Sequence, residues 1–149
     1  MTRVSEVRVG QARPVTLAVV RGQAAQSDLP VVIPAACGEV WGYAKQADLE
    51  SPGRHVAVYL DDQISFECGV EVGAPFEGSD RVFCSSTPAG ATASVTLMGP
   101  YSGLSAAHRA ILEWSRASGR ALAGPSWEVY GHWTDDPDRL RTDVHYLLA

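Results

Sequence analysis

A chain of 149 residues, 46% hydrophobic and 19% charged, is long enough to bury a real core and reads as one domain, 1–149, of a soluble globular protein. Its formal charge of −5 and its scattered Lys and Arg exclude the clustered basic face of a nucleic-acid binder. No run of eighteen apolar residues exists to span a membrane, and the N-terminus lacks the apolar core of a signal peptide, so a cytoplasmic protein is expected. Cys37, Cys68 and Cys84 stand at unrelated spacings that fit neither a disulfide framework nor a zinc site. They are read as small buried hydrophobes.

In chain order, residues 1–13 are polar with weak alternation and suit a lead-in or edge strand. A strand follows at 15–20, then a polar loop at 21–29. Ser27 or Asp28 can cap a helix with Pro30 in its first turn. That helix would carry Val32, Ile33, Ala36, Val40, Trp41, Tyr43 and Ala44 as an apolar stripe. Gly38 and Gly42, four residues apart, would let another element approach it closely. Strands at 55–60 and 64–72 flank a tight turn at Asp61-Asp62, and 73–80 is loop. A short strand at 81–86, a turn at 87–90 and a strand at 91–98 lead to a helix over 104–118 closed by Gly119. The chain ends in two strands, 126–133 and 141–148, joined by the turn Thr134-Asp135-Asp136-Pro137-Asp138.

Written out, strand-helix-strand-strand occurs twice, over about 15–72 and 91–148. Ala35-Ala36 recurs as Ala106-Ala107 and Val58-Tyr59 as Val129-Tyr130, both at an offset of 71; past the turn the offset becomes 74, pairing Val70 with Val144. Each half is too small to hide its own apolar face. The expected fold is therefore α+β: a pseudo-twofold duplication, one antiparallel sheet with both helices on the same face, and a ligand cleft between them. In such a fold the asymmetries are informative. Tyr59 and Tyr130 are equivalent, but Glu128 corresponds to Ala57.

Strand parity puts Glu128 on a face with Ser126, Tyr130 and His132, while Trp127, Val129, Gly131 and Trp133 point the other way. A carboxylate beside aromatics, on a strand with bulk on both faces, is the one unusual chemical feature of the chain. Desolvation there favours a cationic ligand with apolar surface. Tyr130 and Tyr146 are candidate walls, and Trp41 and His108 can face the cleft from the two helices. His132, Asp135 and His145 lack a dedicated metal spacing. No nucleophile elbow, phosphate loop or dinucleotide turn is present, and no cofactor is expected.

Trp127-Glu128-Val129-Tyr130, the Asp135-Asp136-Pro137 turn, and Thr142-Asp143-Val144-His145-Tyr146-Leu147, with the two repeated halves, resemble the effector-binding domains of bacterial multidrug-sensing transcription activators, the gyrase-inhibitor-like family. The resemblance covers the chain from about Val15 onward. It implies a cleft for bulky, planar, often cationic compounds, with Glu128 as the buried acidic residue. Some free-standing members hydrolyse cyclopropane-bearing natural products, and one group protects or inhibits DNA gyrase. No helix-turn-helix stands among the elements read here, so direct DNA binding is not expected.

The leading expectation is a stand-alone binding protein for hydrophobic, cationic or aromatic small molecules, with Glu128, Tyr130, Tyr146, Trp41, His108 and Tyr59 as ligand contacts. One alternative is a hydrolase of strained electrophiles with Glu128 as general base. Another is a protein-interaction module acting on gyrase or a regulator, which an acidic surface permits.

Overall fold

The computed structural model describes residues 2–61 and 65–149. Leu29, Ile33, Ala36, Cys37, Val40 and Ala44 recur every three or four residues and are the buried side of helix α1 (Leu29–Gln46), which Pro30 helps to start. Helix α2 (Leu104–Ser118) buries Ala107, His108 and Ile111, and Gly119 stops it at a φ of 72°. The strands are β1 (Arg3–Val4), β2 (Arg8–Ala12), β3 (Thr16–Gln23), β4 (His55–Tyr59), β5 (Ser65–Glu71), β6 (Phe83–Ser86), β7 (Gly90–Met98), β8 (Leu122–Tyr130) and β9 (Arg141–Leu148). The expected Asp61-Asp62 turn and the expected strand start at residue 64 fall partly outside the described residues.

All the strand pairings are antiparallel, in the order β1-β7-β9-β8-β4-β5-β3-β6, with β2 also on β7. One row of register partners crosses six strands: Val95, Val144, Glu128, Ala57, Cys68 and Val20. Directly opposed residues share a face. Ala57, Cys68 and Val20 pack with α1, and Val95 and Val144 pack with α2, so both helices lie on one face of the sheet, as the duplication predicts. On the opposite face Leu17, Val19, Val56, Val58, Trp127 and Val129 form a separate apolar cluster. The central strands β4 and β8 are thus covered on both sides, which is why large side chains alternate with large ones along β8.

The exact correspondence of the halves differs from the sequence repeat. The helices open at Leu29 and Leu104, 75 positions apart, so the Ala-Ala pairing at 71 is misplaced by about one helical turn. The register row likewise makes Cys68, and not Val70, the mate of Val144. Strand β8 is displaced as well: it starts at Leu122 and ends at Tyr130, three residues before the expected end at Trp133. A Cβ on Gly131 would come within 2.9 Å of the Arg141 carbonyl, and this close approach is where the chain leaves the ladder. Beyond it strand parity no longer operates. Gly38 and Gly42 do not serve close packing either, since a Cβ on either would meet nothing within 4 Å.

Candidate functional site

The central strands aim Ser126, Glu128 and Tyr130 of β8, and His55, Ala57 and Tyr59 of β4, toward the helices. Glu128 is 4% exposed. A carboxylate so removed from water needs partners, and it has three. The Tyr130 hydroxyl donates to Oε1 at 2.5 Å and the Tyr59 hydroxyl donates to the same oxygen at 3.2 Å. His108 Nε2 of α2 lies 2.5 Å from Oε2, and His108 Nδ1 lies 2.6 Å from the Tyr146 hydroxyl. Burial and then the Glu128 charge raise both Tyr130 and Tyr59 well above the ordinary tyrosine pKa, so both hydroxyls remain donors at neutral pH.

Apart from Tyr59 of β4, this polar network comes from the second half of the molecule. The twofold mates of Glu128, His108 and Tyr146 are Ala57, Ile33 and Val70, all apolar and buried. The duplication therefore placed the carboxylate and its histidine partner in one half of the cleft only.

Between α1 and α2 lies a cavity of about 1150 Å³, and Glu128, Tyr130, Tyr59, Tyr146, Trp41 and His108 all line it. Tyr101, in the 3-10 turn before α2, stands edge-on to Tyr130 at 5.8 Å, and Trp41 sits 5.5 Å from His55. Trp133, 71% exposed, also lines the cavity, although strand parity assigned it to the other face. Its chain segment has left β8 by then. Among the described residues the lining also holds Asp61, Arg109 and Cys37. Asp61 and Arg109 are exposed, so Glu128 is the carboxylate inside the cleft and Asp61 one at its rim.

Three contributors were missed in the sequence. His55 was accessible to the same parity that found Tyr59, four residues on. Tyr101 and Trp133 sit in irregular segments where no period applies. His145 of the hairpin faces away from the cavity: it pairs with Trp127 in register and stacks on it at 5.0 Å, apart from His132 and Asp135. The cysteines are not three equivalent core residues. Cys84 is exposed, while Cys37 of α1 and Cys68 of β5 have their sulfurs 3.0 Å apart.

The GyrI-like small molecule binding domain family model matches residues 5–146. The chain belongs to this family. Solved structures agree on the fold. The C-terminal domain of EcmrR superposes with a TM-score of 0.77 at 16% identity, covering 97% of each chain. In an EcmrR–DNA complex the match spans 99% of this chain but 57% of that one, with a TM-score of 0.73 at 14% identity. SAV2435 bound to tetraphenylphosphonium gives a TM-score of 0.69 at 8% identity, covering 97% of this chain and 94% of that one. A hydrolase from Listeria innocua gives 0.61 at 9% identity, covering 97% and 92%. No curated protein sequence matches the chain. This GyrI-like domain thus has the small-molecule-binding fold of its family and shares that fold with the C-terminal domain of EcmrR. No helix among its described residues is long and apolar enough to cross a membrane.

Proposed function

We propose that this GyrI-like domain binds bulky aromatic or planar cations in the cleft between α1 and α2, with Glu128 as their counter-charge. The observation that carries the proposal is a carboxylate only 4% exposed on the floor of an aromatic-walled cavity of about 1150 Å³. Arg109 and Asp61 are exposed and their fields are screened by solvent, so the charge preference of the interior falls to Glu128. His108 is compatible with that role. In its neutral form it still donates through Nε2 to the carboxylate and leaves the negative charge for a ligand. The faces of Tyr130, Tyr101 and Trp41 suit the rings or the cation itself. Support also comes from the structurally similar SAV2435, solved with tetraphenylphosphonium, a cation of this description.

The test is calorimetric titration of tetraphenylphosphonium and of neutral triphenylphosphine oxide into the wild type and Glu128→Gln. Loss of a desolvated charge-assisted contact, about 1.5 to 3 kcal/mol, should weaken the cation roughly ten- to a hundredfold and the neutral compound much less. Equal losses would assign Glu128 to packing, and no loss would place it outside the site.

A second reading, a hydrolase of strained electrophiles, is favoured by one observation: Glu128, His108 and Tyr146 form a continuous hydrogen-bonded chain at 2.5 and 2.6 Å. Both Glu128 oxygens and both His108 nitrogens are already engaged, so in that reading an attacking water gives its proton to the Tyr146 hydroxyl as that hydroxyl passes its own to His108 Nδ1. Consumption of a cyclopropane-bearing compound by the wild type, lost in Glu128→Gln, would favour it over simple binding.

A further inference from the structure

We propose that Cys37 and Cys68 are a redox-active thiol pair, oxidised to a disulfide by hydroperoxides that enter through the ligand cavity. The proposal is independent of which ligand the cleft holds.

Burial alone explains neither residue. Two cysteines packed merely as small hydrophobes have no need to touch, yet these sulfurs are 3.0 Å apart across the α1–β5 interface. A disulfide requires about 2.05 Å, so closure needs a shift of only about 1 Å. Access to the two is unequal. Cys37 lines the cavity beside His55, whereas Cys68 is fully buried behind it and touches Cys37 and the Ile33 carbonyl. An oxidant can reach Cys68 only after Cys37. The chemistry is graded the same way. The hydrogen bond from Cys68, against the cost of burial and with help from His55, lowers the Cys37 pKa to about 6, while Cys68 is raised. His55 is raised in turn, first by its contact with the Cys37 sulfur. One nucleophilic sulfur thus faces the cavity, with a protonated sulfur behind it to resolve the product.

The steps balance as follows. The Cys37 thiolate attacks the terminal oxygen of a hydroperoxide; the S–O bond forms, the O–O bond breaks, and the alkoxide takes up a proton and leaves as an alcohol. The sulfur of Cys68 then attacks the Cys37 sulfenic acid; the S–S bond forms, the S–O bond breaks, and hydroxide leaves with the Cys68 proton as water. Two thiols lose two electrons and two protons, and the peroxide is reduced. The product ties α1, one wall of the cleft, to β5 of the sheet.

The experiment treats the fully reduced protein with cumene hydroperoxide, blocks remaining thiols by alkylation, and maps the cysteines by non-reducing digestion and mass spectrometry. The expected product is a Cys37–Cys68 linked peptide, with the protein lighter by two hydrogens and the exposed Cys84 recovered alkylated. Cys68→Ser should stop at a Cys37 sulfenic acid trapped by dimedone, and Cys37→Ser should leave Cys68 unoxidised. Wild-type protein also answers alone: brief alkylation without oxidant should label Cys37 well ahead of Cys68. Oxidation confined to Cys84, accumulation of Cys37 sulfenic acid without a link in the wild type, or undiminished oxidation of Cys68 in Cys37→Ser would each overturn the proposal.

Discussion

At the scale of single residues, the site is a buried carboxylate satisfied by hydroxyls that must stay protonated. Tyr59 and Tyr130 are both raised, by burial first and by Glu128 second. For an acid raised in the folded state, the associated stability is intact below its unfolded value, near 10 for tyrosine, and is lost as pH climbs beyond it, because the unfolded chain ionises first. Thermal midpoints should therefore hold to about pH 9.5 and fall above pH 10, with a shallower fall in Tyr130→Phe. Identical slopes for the two proteins would mean that Tyr130 is not the group being held neutral. Glu128 and its aromatic neighbours were legible in the sequence because parity on a regular strand says which side chains share a face. His108 as the direct partner of Glu128 was not. Helical spacing places it on the inner side of α2, but only the packing of α2 over β8 brings its ring to the carboxylate.

At the scale of elements, what was legible followed from periodicity and from punctuation. The interval 104–118 for α2 emerged intact because Gly119 closes an apolar stripe, and β9 emerged intact because a turn precedes alternating residues. Strand β8 was displaced at both ends because its irregularities are made by contacts between strands. Its register with β9 shifts between Leu122 and Ser126, around Gly124 at a φ of 119°. This bulge lets the strand begin early and still deliver Ser126, Glu128 and Tyr130 to the cleft. Gly124→Ala keeps the chain length but forces a side chain into that conformation, at a cost of about 1 to 3 kcal/mol. A lowered urea midpoint with an unchanged m-value is the expected result. An unchanged midpoint would show that the bulge relaxes without strain. The helix pairing, off by about one turn, has a plain cause: alanines are too common on helix faces to mark an alignment.

At the scale of the whole molecule, two similar halves share one sheet and leave a cleft along their dyad. The repeat made that architecture readable without any contact information. What it could not reveal is closure across distant segments, such as Cys37 against Cys68, or the Trp133 segment swinging over the cavity after β8 ends. The asymmetry of the halves is the functional statement: Ala57, Ile33 and Val70 on one side, Glu128, His108 and Tyr146 on the other. On the proposed reading, a symmetric apolar cleft would select by size alone, and Glu128 adds a preference for charge.

The measurement that tests this most directly is a crystal structure of the protein with tetraphenylphosphonium. The phosphonium should lie between α1 and α2, with its centre within about 6 Å of the Glu128 carboxylate, the range over which an opposite charge is felt. Its phenyl rings should rest on Tyr130 and Trp41. A cation bound outside the cleft, or inside it but turned from Glu128 toward the Ala57 half, would contradict the account.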